Sequence, residues 1–177
     1  MKQNLKLVLP SKKYLKEWLT FQRETLKKLP LNDLDRIGYE KHIISSQKPL
    51  YFKWLRDDRL GINLEKGMVQ QTIWWGMVGG KIVGRISFRH KLTPTLRKHG
   101  GNIGYAVRPT QQGKGYATEM LRLVLKKVAK LGYKKVLLTC DDSNIPSWKT
   151  IEKNGGKIVK KEKVDGELSR FYSIKLR

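Results

Sequence analysis

The chain has 177 residues, 39% apolar and 30% charged, the size and balance of one domain over 1–177 with enough apolar side chains to bury a core. Thirty-eight Lys and Arg against fifteen Asp and Glu give +23, a charge that steers polyanions, RNA and DNA among them, and disfavours polycationic substrates. Cys140 is the one cysteine, which excludes an intramolecular disulfide and a cysteine-cluster metal site; no apolar run approaches a membrane span or a signal-peptide core, so a cytoplasmic protein with no membrane partner is expected.

In chain order, residues 5–9 read as a strand and 12–28 as a helix with Tyr14, Trp18, Phe21 and Thr25 on one side. Residues 30–68 are broken by Pro30, Pro49 and Gly61, and within them 51–56 reads as a helical turn. Residues 72–77 and 81–88 form a hairpin about Gly79-Gly80, with Ile82, Gly84, Ile86 and Phe88 on one face by strand alternation, and 94–101 is a loop. A strand at 103–107 leads through a glycine-rich segment to an amphipathic helix at 117–131. Its apolar stripe, Ala117, Leu121, Val124, Leu125, Val128 and Leu131, lies opposite Lys126, Lys127 and Lys130. A strand at 136–140, a helix at 145–154 and a hairpin of 158–163 with 171–176 across Asp165-Gly166 complete the chain. This order implies a mixed α/β sheet with helices on both faces, whereas a Rossmann domain opens with repeated parallel units.

Gln112-Gly113-Lys114-Gly115-Tyr116-Ala117 sits where the strand at 103–107 gives way to the helix. Two glycines can take φ > 0 and let backbone approach an anion, while the helix start supplies N–H groups without partners; a pyrophosphate suits such a cradle. A P-loop would need Gly-x-x-x-x-Gly-Lys-Ser/Thr, which is absent. A Rossmann fingerprint would need a third small residue at Thr118, although Asp141 and Asp142 do stand after the next strand.

The segment as a whole, Val107-Arg108-Pro109, then Gln112-x-x-Gly115-x-Ala117, a helix, a strand, and Asn144-x-x-Ser147 opening a second helix, resembles the GNAT superfamily of N-acetyltransferases over about residues 70–160. The resemblance implies a mixed, largely antiparallel central sheet whose fourth and fifth strands, 103–107 and 136–140, splay apart to admit the pantetheine arm of coenzyme A. It implies acetyl-CoA as co-substrate without a metal, a CoA-binding core at about 70–160 and an acceptor-side part at about 10–68. Cofactor contacts fall on Val107, Gln112, Gly113, Lys114, Gly115, Tyr116, Ala117, Asn144 and Ser147. Asn144 reads equally as an N-cap, with Pro146 just inside the helix.

In the implied reaction a neutral amine attacks the thioester and a backbone N–H near Val107, unpaired in a splayed strand, bonds the developing oxyanion. Many relatives carry a Tyr proton donor seven residues after the Asn, where this chain has Ile151. A thiol of ordinary pKa about 8.5 leaves readily as thiolate, so water can serve instead. Glu24, Asp141 and Asp142 are the candidate bases, each with an ordinary reading as a surface or capping carboxylate; Tyr105 reads as core, and His42, His90 and His99 are scattered. The acceptor is a small-molecule or peptide amine, and Trp18, Phe21, Trp54, Trp74 and Trp75 are apolar walls or core. Two other classes stand beside the enzyme: an inactive acyl-CoA-binding module, and a nucleic-acid-associated protein whose basic surface is more simply a solvated face, since no RNA-binding fingerprint or zinc-finger spacing accompanies it.

Overall fold

The structure, a computed structural model, describes residues 4–28 and 48–176. Strand β1 (Lys6–Val8) leads through a 3-10 turn at Lys12–Tyr14 into helix α1 (Leu15–Lys28); helix α2 (Lys48–Leu60) then precedes β2 (Gln71–Val78) and β3 (Lys81–Arg89). Next come α3 (Pro94–Lys98), β4 (Ile103–Val107), a 3-10 turn at Pro109–Gln111, and α4 (Tyr116–Lys130). Strand β5 (Lys135–Asp141), α5 (Ile145–Lys153), β6 (Lys157–Val164) and β7 (Glu167–Lys175) finish the described chain. Every ladder is antiparallel, and the strands form two sheets in the orders β1-β2-β3-β4 and β5-β7-β6. This is the mixed α/β architecture with antiparallel strands that the sequence implied, its sheet divided between β4 and β5. Pro30 and His42 lie outside the described residues.

Helices cover both faces because each helix has one apolar stripe to bury. On one face α1 inserts Trp18 and Phe21, and Trp18 stacks on Trp75 of β2 (4.7 Å between rings) and on Tyr51 of α2 (5.7 Å). On the other, α4 buries Met120, Leu121, Val124 and Val128 against Ile86, Phe88, Val136 and Leu138. The stripe is thus shifted from the expected one: Met120 is at its centre and Leu131 is 56% exposed. Met120 packs onto bare backbone, since a Cβ added at Gly84 would lie 2.7 Å from its Cε and 2.6 Å from the Ala106 carbonyl. Lys126, Lys127 and Lys130 are exposed, as a solvated face requires.

Three expectations change. Ile82 does not share a face with Gly84, Ile86 and Phe88: a bulge where Gly76 pairs with Gly84 but Met77 pairs with Ile82 inserts Val83, which flips Ile82 into the cluster around Trp18. The helical turn at 51–56 is the middle of the longer α2, because Pro49 sits in the first turn, where its missing N–H costs nothing. The loop at 94–101 contains α3, opened by Thr93, whose Oγ1 accepts from the Leu96 N–H (3.1 Å), with Pro94 at its first position.

Strands β4 and β5 form no ladder. Their junction is a single bridge, Gly101 with Leu138, reinforced by Asn102 N–H to Leu137 O (2.7 Å) and Leu137 N–H to Asn102 Oδ1 (2.9 Å). Gly101 takes φ +63°, and a Cβ there would lie 2.3 Å from the Leu137 oxygen, so only glycine permits the approach.

Candidate functional site

The open edge of β4 organises the site. Arg89 N–H donates to Asn102 O (2.7 Å) and Arg108 N–H to Val83 O (2.9 Å), which fixes the alternation of the β3–β4 ladder. Even-numbered residues of β4 bond β3; the backbone groups of Ile103, Tyr105 and Val107 therefore point away from it, toward β5. The four-stranded sheet ends at β4, so among the described residues these N–H groups have no ladder partner.

A cleft of about 330 Å³ fills the gap, lined by Gly104 and Tyr105 of β4, Cys140 and Asp141 of β5, Asn144 just before α5, and Ser147 and Ile151 of α5. A second cavity, a bowl of about 320 Å³, lies between α2 and the sheet, with Tyr51, Trp54, Gln71, Arg85, Ser87, Gly104 and Ala106 in its lining. Arg89, Gly104 and Tyr105 belong to both, so the two cavities meet across β4. The Tyr105 hydroxyl reaches α5, where it bonds Ser147 O and Oγ (3.0 Å each), and burial pushes its pKa up to about 12. Tyr105 is a wall of the site rather than only core.

The glycine-rich segment forms the approach to α4. Gly113 and Gly115 take φ +76° and +80°, and a Cβ at either would meet nothing within 4 Å, so open space lies before the backbone. Gly115 caps α4 without a side-chain bond, and the first helical bond runs from Glu119 N–H to Gly115 O (3.1 Å). The N–H groups of Tyr116, Ala117 and Thr118 are left at the positive end of the helix dipole. Gln112 and Lys114 are exposed, and Lys114 Nζ donates to Gln111 Oε1 (3.0 Å). The donor set and the open space fit a diphosphate.

Asn144 is an N-cap: its Oδ1 accepts from the Ser147 N–H (3.1 Å), which leaves its Nδ2 donors for a ligand in the cleft. Ile151 is 1% exposed and packed into the core. Cys140 is half-buried in the cleft wall, and burial raises its pKa, which keeps it a thiol.

The three carboxylates fare differently. Glu24 takes hydrogen bonds from Arg108 Nε (2.6 Å), Arg108 Nη2 and Thr110 Oγ1 (2.9 Å), and the Arg108 bonds hold its pKa at about 2. The same guanidinium, 6% exposed, also grips Glu17 and so ties the end of β4 to α1. Asp142 is pinned by Lys161 (2.8 Å) and Arg170 (2.5 Å), which lower its pKa. Neither is a ready proton acceptor. Asp141 alone of the three lines the cleft.

Among the described residues no group of three His, Cys, Asp or Glu side chains is placed to hold a metal. His90 bonds Thr72 and packs on Phe88, and His99 pairs with Asp165. Among the described residues, no helix is long and apolar enough to cross a membrane. The residues that the sequence reading passed over are Arg85, Ser87 and Arg89. The signal was the polar half of the alternation in β3, opposite Ile86 and Phe88.

The family model described as Acetyltransferase (GNAT) domain matches residues 23–157. The uncharacterized N-acetyltransferase YnaD of Bacillus subtilis (strain 168) is 34% identical over 59 residues, so the match spans 33% of this chain and about a third (35%) of the curated relative. Among solved structures, the chain resembles RimL, a ribosomal L7/L12 alpha-N-protein acetyltransferase, in complex with coenzyme A (TM-score 0.67, 15% identity, 99% of this chain and 96% of that one). It also resembles the microcin C7 self immunity acetyltransferase MccE with acetyl-CoA and AMP (TM-score 0.64, 18% identity, 99% and 94% covered).

Proposed function

From the premise that this chain belongs to the GNAT acetyltransferase family, we propose that it is an N-acetyltransferase that moves the acetyl group of acetyl-CoA to a primary amine by direct attack. The observation that carries the reading is the unladdered edge of β4, where the outward N–H groups of Tyr105 and Val107 separate a cleft from a bowl that meet at Gly104 and Tyr105.

Acetyl-CoA supplies an acetyl thioester. The amides at the start of α4 and of Gly113 and Gly115 hold its diphosphate, Gln112 and Lys114 flank it, and the Asn144 Nδ2 and Ser147 contact the pantetheine in the cleft. The Val107 N–H holds the carbonyl oxygen as negative charge builds on it. From the bowl the amine nitrogen bonds the carbonyl carbon while the carbon–sulfur bond breaks and sulfur keeps the electron pair; the amine proton passes to water or to Asp141, and an amide and CoA leave. Ile151 offers no proton, and a thiolate needs none to depart. Residues 10–68 shape the acceptor side, and 70–160 hold CoA.

The test is release of free CoA from acetyl-CoA with a broad panel of amines, repeated with Glu24→Gln, Asp141→Asn and Asp142→Asn. Turnover is expected, with Asp141→Asn losing up to about 10²-fold, the usual scale of base catalysis, and the other two little per folded molecule. Tight CoA binding without turnover of any amine would instead make the protein an acyl-CoA-binding module.

A further inference from the structure

The bridge of Gly101 with Leu138 separates the cleft from another cavity. On β5, Leu138, Thr139, Cys140 and Asp141 line the cleft, whereas Lys135, Val136 and Leu137 line a trough of about 610 Å³ beyond the bridge. The β3–β4 connection supplies Lys91, Leu92 and Arg97 to this trough, and Val159 of β6 and Ser173 of β7 extend its floor beside β5. Register places two more cations on that floor. Lys175 stands directly opposite Lys135, and Lys157 directly opposite Ser173, so both share the face that carries Leu137 and Ser173.

Lys91, Arg97, Lys135, Lys157 and Lys175 are exposed, and like charges set opposite each other, as Lys135 and Lys175 are, cost free energy. The residues outside the described ones hold the acids Asp33, Asp35 and Glu40 against Lys2, Arg36, Lys41 and Arg177, so the excess of +23 belongs to the described part of the chain. Neighbouring strands lie about 4.8 Å apart and diagonal positions about 7–8 Å, so the five cations reach past a single phosphate and suit a row of them. Leu92, Leu137 and Val159 lie among the cations, Val159 61% exposed at a bulge where Ile158 pairs with Tyr172 but Lys160 with Phe171. The amide of Asn102 is already committed, accepting from Leu137 N–H (2.9 Å) and donating to Arg89 O (3.1 Å), which leaves it no capacity to read a base edge. We propose that the trough binds a single-stranded nucleic acid through its phosphodiester backbone, on the far side of the Gly101–Leu138 bridge from the cleft. A single strand follows a concave basic surface and lays sugar or base on its apolar parts, whereas a duplex meets its rim.

The test is fluorescence anisotropy of labelled oligo(dT) over a series of salt concentrations. The logarithm of the association constant should fall against that of salt with a slope of about −2 or steeper, the counterions of about three or more phosphates at about 0.7 each. Lys135→Gln with Lys175→Gln should weaken binding about tenfold or more and flatten the slope by about 1.4. The melting temperature of this variant should not fall, because the change removes a like-charge pair. Lys126→Gln with Lys127→Gln alters net charge equally on the exposed face of α4 and should change affinity by about twofold or less. Saturating CoA should leave oligo(dT) affinity within about twofold, since its diphosphate is held at the start of α4. Equal effects of the two double variants would reduce the binding to net charge and overturn the proposal. So would competition by CoA, which would put the strand in the diphosphate cradle, or a duplex of the same length that binds as tightly as the single strand.

Discussion

The two sides of β4 are built from different materials. The cleft side rests on backbone: the outward amides of Tyr105 and Val107, the left-handed glycines at 113 and 115, and the bare start of α4. The bowl side is made of side chains gathered from α2, β2, β3 and β4, and α1, which packs beside α2 on that face, is tied to the end of β4 by Arg108 between Glu17 and Glu24. A backbone site demands particular residues in one short stretch, whereas a side-chain site can draw on residues far apart in the chain. One side is therefore written locally and the other only in three dimensions.

The largest effect should come from Arg108→Met. Removing the nearly buried cation leaves two partly exposed carboxylates facing each other, and breaking a fully buried pair on one side costs about 3–5 kcal/mol, which is the upper bound here. Urea denaturation should show that loss. A variant as stable as the wild type would mean that the docking of α1 on the sheet does not depend on this tie.

Ile151 is next. Fully packed, it should lose about 2–5 kcal/mol on Ile151→Ala, with turnover per folded molecule little changed. Ile151→Tyr should destabilise as well, since a Cβ at Gly156 would already lie 2.4 Å from the Ile151 Cγ2 and leaves no slack for a ring. A large rate loss at unchanged stability in the Ala variant would instead make Ile151 a shaping residue of the cleft.

On the bowl side, Asp58 should produce a pH signature. Its pKa is about 6 in the fold against an ordinary 3.8, raised by burial, so the fold favours the neutral acid. That contribution is complete below about pH 3.8 and is lost as pH rises through 6. Between pH 4 and 7 the wild type should therefore lose about 1–3 kcal/mol relative to Asp58→Asn. Parallel stability curves for the two proteins would show that Asp58 is solvated in the fold.

The smallest pair of changes sharpens the cleft side. Gly115→Val forces a β-branched residue to φ +80° and narrows the space before α4, so CoA affinity should fall about tenfold or more in calorimetric titration. Lys114→Ala removes one exposed, screened charge and should change it by about threefold or less. Equal effects would move the cradle elsewhere.

What the sequence revealed follows the same division. Strand β4 and the start of α5 were readable to the residue, and α4 within one residue at each end, because alternation, helical period, Gly115 and Asn144 are local signals. The face of Ile82 was not, since the bulge at Val83 has no composition of its own and appears only when β3 is paired with β2. Helix α3 hid behind Pro94, which reads as a breaker until Thr93 is seen capping it. Glu24 looked like a base because nothing in the chain shows Arg108, 84 positions away, closing on it. The bowl was missed for the same reason: Arg85 and Arg89 share the polar face of β3 by alternation, but Trp54 is brought beside them only by the docking of α2 on the sheet.

The central claim, that the unladdered edge of β4 receives the thioester between cleft and bowl, is tested most directly by residue-resolved amide hydrogen exchange with and without acetyl-CoA. Saturation should slow exchange at Tyr105 and Val107 together with Gly113, Gly115 and the first turn of α4, while Gly104 and Ala106, already bonded to β3, change little. Protection confined to other segments, with Tyr105 and Val107 unaltered, would contradict the claim.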